Sequence, residues 1–258
     1  MTRLLAVFLA ALLLAAPASA HARALVLFGD SVPADPPLRD YLEGKLGAPG
    51  QPECPTSAHN YGVLAAAELG LKVADFSCSG TTSTGVRSVF GGQDFSRQVD
   101  RAVAAGTLND ATPRVIVTTG FNDTYPRGAD APDLFLSAMT PQIERIHDAA
   151  PNVRVQIVGY PTITDGDDIC VVNTDRVVRV HAPAVAHWER QAQHMQAELA
   201  AATGVEFVDL KESTRGRHMC APDELRHWSA IIDDGPTNLP FHLNAHGHRH
   251  VAEVIARS

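Results

Sequence analysis

Short apolar runs closed by turn residues recur along the chain. Residues 24–28 are continuously apolar and stop at Gly29-Asp30, and similar short runs, each with one or two polar residues and bounded by turn or breaker residues, recur at 73–76, 115–119, 153–158 and 205–208. Short, mostly apolar runs of this length predict strands of a buried parallel sheet. The segments between them read as helices. In the clearest, residues 184–202, Val185, Trp188, Ala192, Met195, Leu199 and Ala202 recur at steps of three and four. They form one apolar stripe, so Trp188 and Met195 are expected to pack rather than bind a ligand. Gly204 is placed to cap that helix. Residues 245–257 form a last helical stretch, and residues 161–179 read as a long loop, either a cover for a cleft or scaffold. Strands alternating with helices predict an α/β domain, a parallel sheet with helices on both faces.

Open parallel sheets bind ligands beyond the carboxyl ends of their strands. Ser31 lies just past the first run, Cys78-Ser79-Gly80 past the second and Gly120-Phe121-Asn122-Asp123 past the third. Three successive strand ends therefore carry small or polar residues able to converge on one cleft.

The N-terminal stretch changes where the domain should begin. Arg3, an apolar segment from Leu4 to Ala16 and Pro17-Ala18-Ser19-Ala20 have the layout of a secretory signal peptide cut near Ala20. Its apolar part is shorter than the roughly 20 residues a membrane span needs. The expectation is thus a signal peptide over 1–20 and one exported domain over 21–258, with no stable membrane anchor. The chain has 21 Lys and Arg against 29 Asp and Glu, with the basic residues scattered. Nucleic acid is a poor partner for such a surface.

All four cysteines, Cys54, Cys78, Cys170 and Cys220, lie in the mature region. An even count in an exported protein favours disulfides over metal ligands. Of the possible connectivities, Cys54 to Cys78 and Cys170 to Cys220 pair sequence neighbours; each bridge would stabilise the fold by roughly 3 to 4 kcal/mol.

A serine in a tight turn at a strand end projects its hydroxyl into the cleft, and an adjacent glycine permits the turn. Ser31 has that position. A serine hydroxyl needs a base to take its proton, and His242, in Phe241-His242-Leu243-Asn244 just before the last helix, can reach the sheet edge from a loop. An oxyanion formed by attack needs preorganised donors, for which the backbone amides of Ser31 and Gly80 and the side-chain amide of Asn122 are candidates.

Gly29-Asp30-Ser31, Gly80 within Ser77-Cys78-Ser79-Gly80-Thr81-Thr82, Gly120-Phe121-Asn122-Asp123, and His242-Leu243-Asn244 with Gly247-His248 together resemble the four sequence blocks of the SGNH (GDSL) hydrolases, in order. The resemblance, to the secreted bacterial esterase and lipase type, implies Ser31 as nucleophile, Gly80 and Asn122 as oxyanion donors and His242 as base. It also implies a three-layer flavodoxin-like sandwich around a five-stranded parallel sheet. No cofactor or metal is implied, and a bridge from Cys78 to the upstream Cys54 is. The sequence departs from the family at Leu239, where an aspartate often stands three residues before the histidine, at Phe121 and at Leu243. The carbonyl of Leu239 is the first candidate to orient the imidazole, with Asp233 and Asp234 as alternatives. Phe121 is expected to line the acyl pocket or to pack in the core, and residues 80–98 to form an apolar wall with Val86, Val89 and Phe90. His246, His248 and His250 follow His242, but no glutamate follows it in the zinc-protease pattern.

The expected activity is hydrolysis of a small-molecule or lipid ester through an acyl-serine, by a secreted chain acting as a monomer. A carbohydrate deacetylase of the same family, or a binding protein that kept the fold and lost catalysis, is the alternative.

Overall fold

The computed structural model describes residues 23–85, 93–235 and 237–258. The expected signal peptide and the 86–92 part of the apolar wall lie outside the described residues. Five parallel strands, β1 (Ala24–Gly29), β2 (Lys72–Asp75), β3 (Arg114–Thr118), β4 (Arg154–Val158) and β7 (Glu206–Val208), form the central sheet in the order β2-β1-β3-β4-β7. Each strand lies within a residue or so of its expected run, because a run apolar on both faces can be satisfied only inside such a sheet.

The two faces of β1 lead into different cores. Leu25 and Leu27 join Ile116, Tyr61 and Val251 on one side, while Val26 and Phe28 join Val117, Phe95 and Met139 on the other. Helices α3 (Tyr61–Glu68) and α8 (Ala245–Arg257) cover the first face. Helices α4 (Phe95–Ala104), α6 (Ala131–Ala149) and α7 (Pro183–Thr203) cover the second. The protein is therefore a three-layer α/β sandwich. Short helices α1 (Ser31–Ala34), α2 (Leu38–Lys45) and α5 (Phe121–Arg127) lie beyond the strand ends.

Helix α7 spans almost the range its stripe predicted, and Gly204 caps it in the left-handed region at φ 69°. The buried face differs. Ala202 is exposed and Trp188 half-buried, edge to face with Tyr125 at 5.7 Å, while Glu189 and Gln196 are buried. These polar side chains replace apolar ones because they serve loop backbone. Glu189 accepts hydrogen bonds from the Ile163 and Thr164 amides and pairs with Lys211 at 2.6 Å, and Gln196 donates to the Thr119 carbonyl.

Residues 161–179, expected to be a loop, instead contain most of a β-hairpin. Strands β5 (Asp168–Asn173) and β6 (Val177–His181) pair antiparallel, and β8 (Ile232–Asp233) joins β5. Their β-branched residues flank a polar turn at 174–176, a local hairpin signal. Cys54 is bonded to Cys78 and Cys170 to Cys220. Among the described residues no helix is long and apolar enough to cross a membrane.

Candidate active site

The Ser31 turn is held from the sheet side. Gly29 has φ 150°, and a Cβ there would stand 2.1 Å from the Thr118 carbonyl oxygen, so only glycine lets β1 run this close to β3. Asp30 caps α1 by accepting from the Val32 amide at 2.9 Å, and its own amide donates to Thr118 O. Gln98, buried on α4, grips Gly29 at both ends, accepting from its amide at 2.9 Å and donating to its carbonyl at 2.8 Å. The same Nε2 lies 2.9 Å from Thr81 Oγ1, which joins the Ser31 turn to the Gly80 turn. Tyr160 Oη donates to Asp30 Oδ2 at 2.5 Å and accepts from the Phe121 amide at 3.2 Å, tying the same turn to the start of α5. Burial pushes the Asp30 carboxyl up to about 7.

Gly80 adopts φ 80°, a left-handed conformation that glycine takes without steric cost. Cys78 N donates to Gly29 O at 3.0 Å, and the bridge to Cys54 anchors this turn from outside. Lys45 Nζ donates to the Ser79 carbonyl at 3.3 Å. That carbonyl and the Gly80 N–H share one peptide unit, so the ammonium polarises the amide towards stronger donation. Neither the Ser31 nor the Gly80 amide has a hydrogen-bond acceptor among the described residues.

Asn122 bonds across to the neighbouring strand end rather than to its own backbone. Its Nδ2 donates to Thr81 O at 3.0 Å, which uses one of two amide hydrogens, and its Oδ1 accepts from Tyr125 Oη at 3.2 Å. Asp123 accepts from the Ser83 amide at 3.0 Å and Thr84 Oγ1 at 3.1 Å, closing the Gly80 and Asn122 loops on each other. Burial raises its carboxyl to about 6. Phe121 is half-buried, edge to face with Tyr160 at 5.8 Å.

His242 arrives on a loop laid along residues 227–230. Ser229 N donates to His242 O at 2.8 Å, Phe241 N to Ala230 O, and Asn244 N to His227 O. His242 Nε2 stands 2.7 Å from Ser31 Oγ, and Nδ1 stands 2.8 Å from the Pro240 carbonyl. A carbonyl only accepts, so Nδ1 carries the proton and the Nε2 lone pair faces the Ser31 hydroxyl. Burial holds the imidazole below its ordinary value, opposed by the Pro240 carbonyl and by the charge of Asp35.

The acceptor beneath the ring is thus Pro240, one residue beyond the expected Leu239. Phe241 has φ 62°, a left-handed turn that swings the 240 carbonyl under the 242 ring. The Leu239 carbonyl is occupied by the hydroxyls of Ser229 and Thr237 at 3.1 and 2.9 Å. Asp233 is bound to Arg226 and to the Ala230 and Gly235 amides, and Asp234 is exposed. A cavity of about 280 Å³ lies beyond this loop, lined by Arg226, Asp233, Asp234 and His246, with neither Ser31 nor His242 in its wall. His248 faces Asp35 and His250 faces Ser213, so the tail histidines diverge.

Three strand-end turns are thus tied to one another, and the loop before α8 brings one imidazole to the Ser31 hydroxyl. A model of the GDSL-like lipase/acylhydrolase family matches residues 27–250. The chain belongs to this family. Among solved structures, this GDSL-family chain is similar to a phospholipase A1 from Streptomyces albidoflavus, with 17% identity and a TM-score of 0.60 over 90% of this chain and 98% of the other. It is also similar to an extracellular lipase from Streptomyces rimosus, with 19% identity and a TM-score of 0.58 over 92% and 99%. A third, a carbohydrate acetylesterase from Sinorhizobium meliloti, has 16% identity and a TM-score of 0.54 over 91% and 97%. At these identities the likeness is one of fold. A search of curated protein sequences returned no match. Family and fold together place the chain among ester hydrolases.

Sequence reasoning missed Gln98, Tyr160, Lys45 and Asp35. Gln98 left a signal, since it interrupts the apolar stripe Phe95, Val99 and Ala102 on α4. Tyr160 had the weaker signal of an aromatic hydroxyl just past a buried strand.

Proposed function

We propose that this chain is an exported serine esterase that cleaves carboxylic esters of small molecules or lipids. The observation that carries the reading is the contact of 2.7 Å between His242 Nε2 and Ser31 Oγ, with Nδ1 committed to a carbonyl. In that tautomer His242 takes the proton as Ser31 Oγ bonds to the ester carbonyl carbon. The oxyanion is met by the amides of Ser31 and Gly80 and by the second hydrogen of Asn122 Nδ2. The imidazolium gives its proton to the departing alkoxide, the carbon–oxygen bond breaks, and an acyl-serine remains. Water deprotonated by the same imidazole then releases the acid and restores the hydroxyl.

Export is supported by the paired cysteines and by the leader-like composition of residues 1–20. The similar structures bear names of enzymes acting on phospholipids, lipids and carbohydrate acetates, so a chain-length series of esters distinguishes these substrate classes. Ser31→Ala and His242→Ala are each expected to lower kcat on a short nitrophenyl ester by roughly 10⁴ to 10⁶. Wild-type turnover retained in the Ser31 variant would leave the proposal without its nucleophile.

A further inference from the structure

Position 239 holds leucine where a carboxylate would steady the imidazolium, yet a buried carboxylate stands beside the site from another direction. Asp35 ends α1, four residues after Ser31, with φ 45° and 3% exposure. Its Oδ2 accepts from Asn238 Nδ2 at 2.7 Å and lies 3.2 Å from His248 Nε2. Asn238 Nδ2 also reaches the Asp35 carbonyl at 2.9 Å and Ser57 Oγ at 3.2 Å, and Asn238 O accepts from the Leu38 amide. His248 Nδ1 accepts from the Tyr61 amide at 3.2 Å, and its buried Nε2 makes no hydrogen bond. Asp35 Oδ1 is buried with no hydrogen-bond partner.

A buried carboxylate oxygen without a donor is costly. So is a left-handed backbone at a residue other than glycine, and such strain gathers at functional sites. Among the described residues only Asp35 and Phe241 are non-glycine residues with positive φ. One ends the turn that carries Ser31, and the other precedes His242. Asn238, four residues before His242, links the two segments through Asp35.

We propose that Asp35 is a positioning residue for His242: through Asn238 it fastens the histidine loop to the serine turn, and its buried negative charge stabilises the imidazolium that forms during attack. This rests on the esterase reading for its catalytic part. The ionisable groups bearing on His242 are Asp35 at the end of α1 and His248 on α8. Those packed on Asp35 are His248 and the neutral Asn238 and Ser57. Burial, and less strongly His248, lower the proton affinity of His242, while the Pro240 carbonyl and then Asp35 raise it.

The test is Asp35→Asn, which keeps size and an acceptor for Asn238 but removes the charge. NMR titration of labelled histidines should show His242, identified by its loss in His242→Ala, titrating about one unit lower than in the wild type. On the pH plateau kcat should fall on the order of tenfold with KM little changed. Asn238→Ala breaks the tether but keeps the charge, so it should lower Tm and kcat without moving the His242 titration. Asp35→Gly suits the left-handed backbone and serves if the asparagine variant folds poorly; it should move the titration the same way. An unmoved titration with kcat within about twofold of the wild type in a folded Asp35 variant would overturn the proposal. The NMR reading does not depend on turnover. A shifted His242 in a protein without esterase activity would retain the electrostatic link and remove the esterase reading.

Discussion

The serine turn and the histidine loop meet at one hydrogen bond but are built on different principles. Ser31 stands at the end of a strand buried on both faces, and its turn is gripped by buried side chains from other layers, Gln98 from α4 and Tyr160 beyond β4. His242 sits on a loop fastened mainly by backbone bonds to residues 227–230 and, beneath the ring, by a carbonyl two residues away. The serine side inherits its precision from the sheet. The histidine side depends on a local left-handed turn at Phe241 and on the link through Asn238. On the proposed esterase reading an aspartate at position 239 is not needed to fix the tautomer, because the proton on Nδ1 already has an acceptor in the Pro240 carbonyl.

Three substitutions or titrations would break or sharpen the contrast. The largest effect is expected at the proposed oxyanion donors. Asn122→Ala removes a donor preorganised by its bond to Thr81 O and should lower kcat by roughly 10² to 10³ with KM little altered; a loss confined to KM would assign Asn122 to substrate binding instead. Next is the sheet-side clamp. Gln98→Leu leaves the buried Gly29 amide without its acceptor and the Gly29 carbonyl with the Cys78 amide alone, so it should destabilise the fold by about 1 to 3 kcal/mol in chemical denaturation and reduce kcat as the turn loosens. Unchanged stability would mean that β1 and β3 alone hold the turn.

The smallest effect is a displacement of a pH profile. As the proposed base, His242 works only when neutral, so activity is expected to be lost as pH falls through its titration. Burial holds that titration below the ordinary 6.5, and the acid limb of kcat/KM should therefore have its midpoint below that value. A midpoint at about 7 or above would place the imidazole in a more solvated or more anionic setting than its burial gives.

The sheet was legible because strands of a parallel sheet covered on both sides leave short, mostly apolar runs between turn residues, and each run at 24–28, 73–76, 115–119, 153–158 and 205–208 corresponds to a strand. Most of the hairpin at 168–181 falls within residues 161–179, which read as loop because β6 is exposed throughout and carries no core signal. On α7, periodicity located the helix but not its inward polar residues, since Glu189 and Gln196 are buried for the sake of loop amides and carbonyls that no periodicity encodes. Strand-end position singled out Ser31, Gly80 and Asn122, a loop just before the last helix singled out His242, and the four-block resemblance joined them. What holds them stayed hidden for a physical reason. Gln98, Tyr160 and Asp35 act across 69, 130 and 203 residues of sequence, and the substitution of Pro240 for Leu239 depends on one backbone angle at Phe241.

The central claim is that the Ser31 hydroxyl is activated by His242. The most direct measurement is labelling with a fluorophosphonate, followed by peptide mass spectrometry, on the wild type and on His242→Ala. The account predicts one adduct, on the peptide bearing Ser31, formed rapidly in the wild type and at least about 10³-fold more slowly without the imidazole. An adduct on another residue, or labelling of Ser31 at the same rate in both proteins, would contradict it.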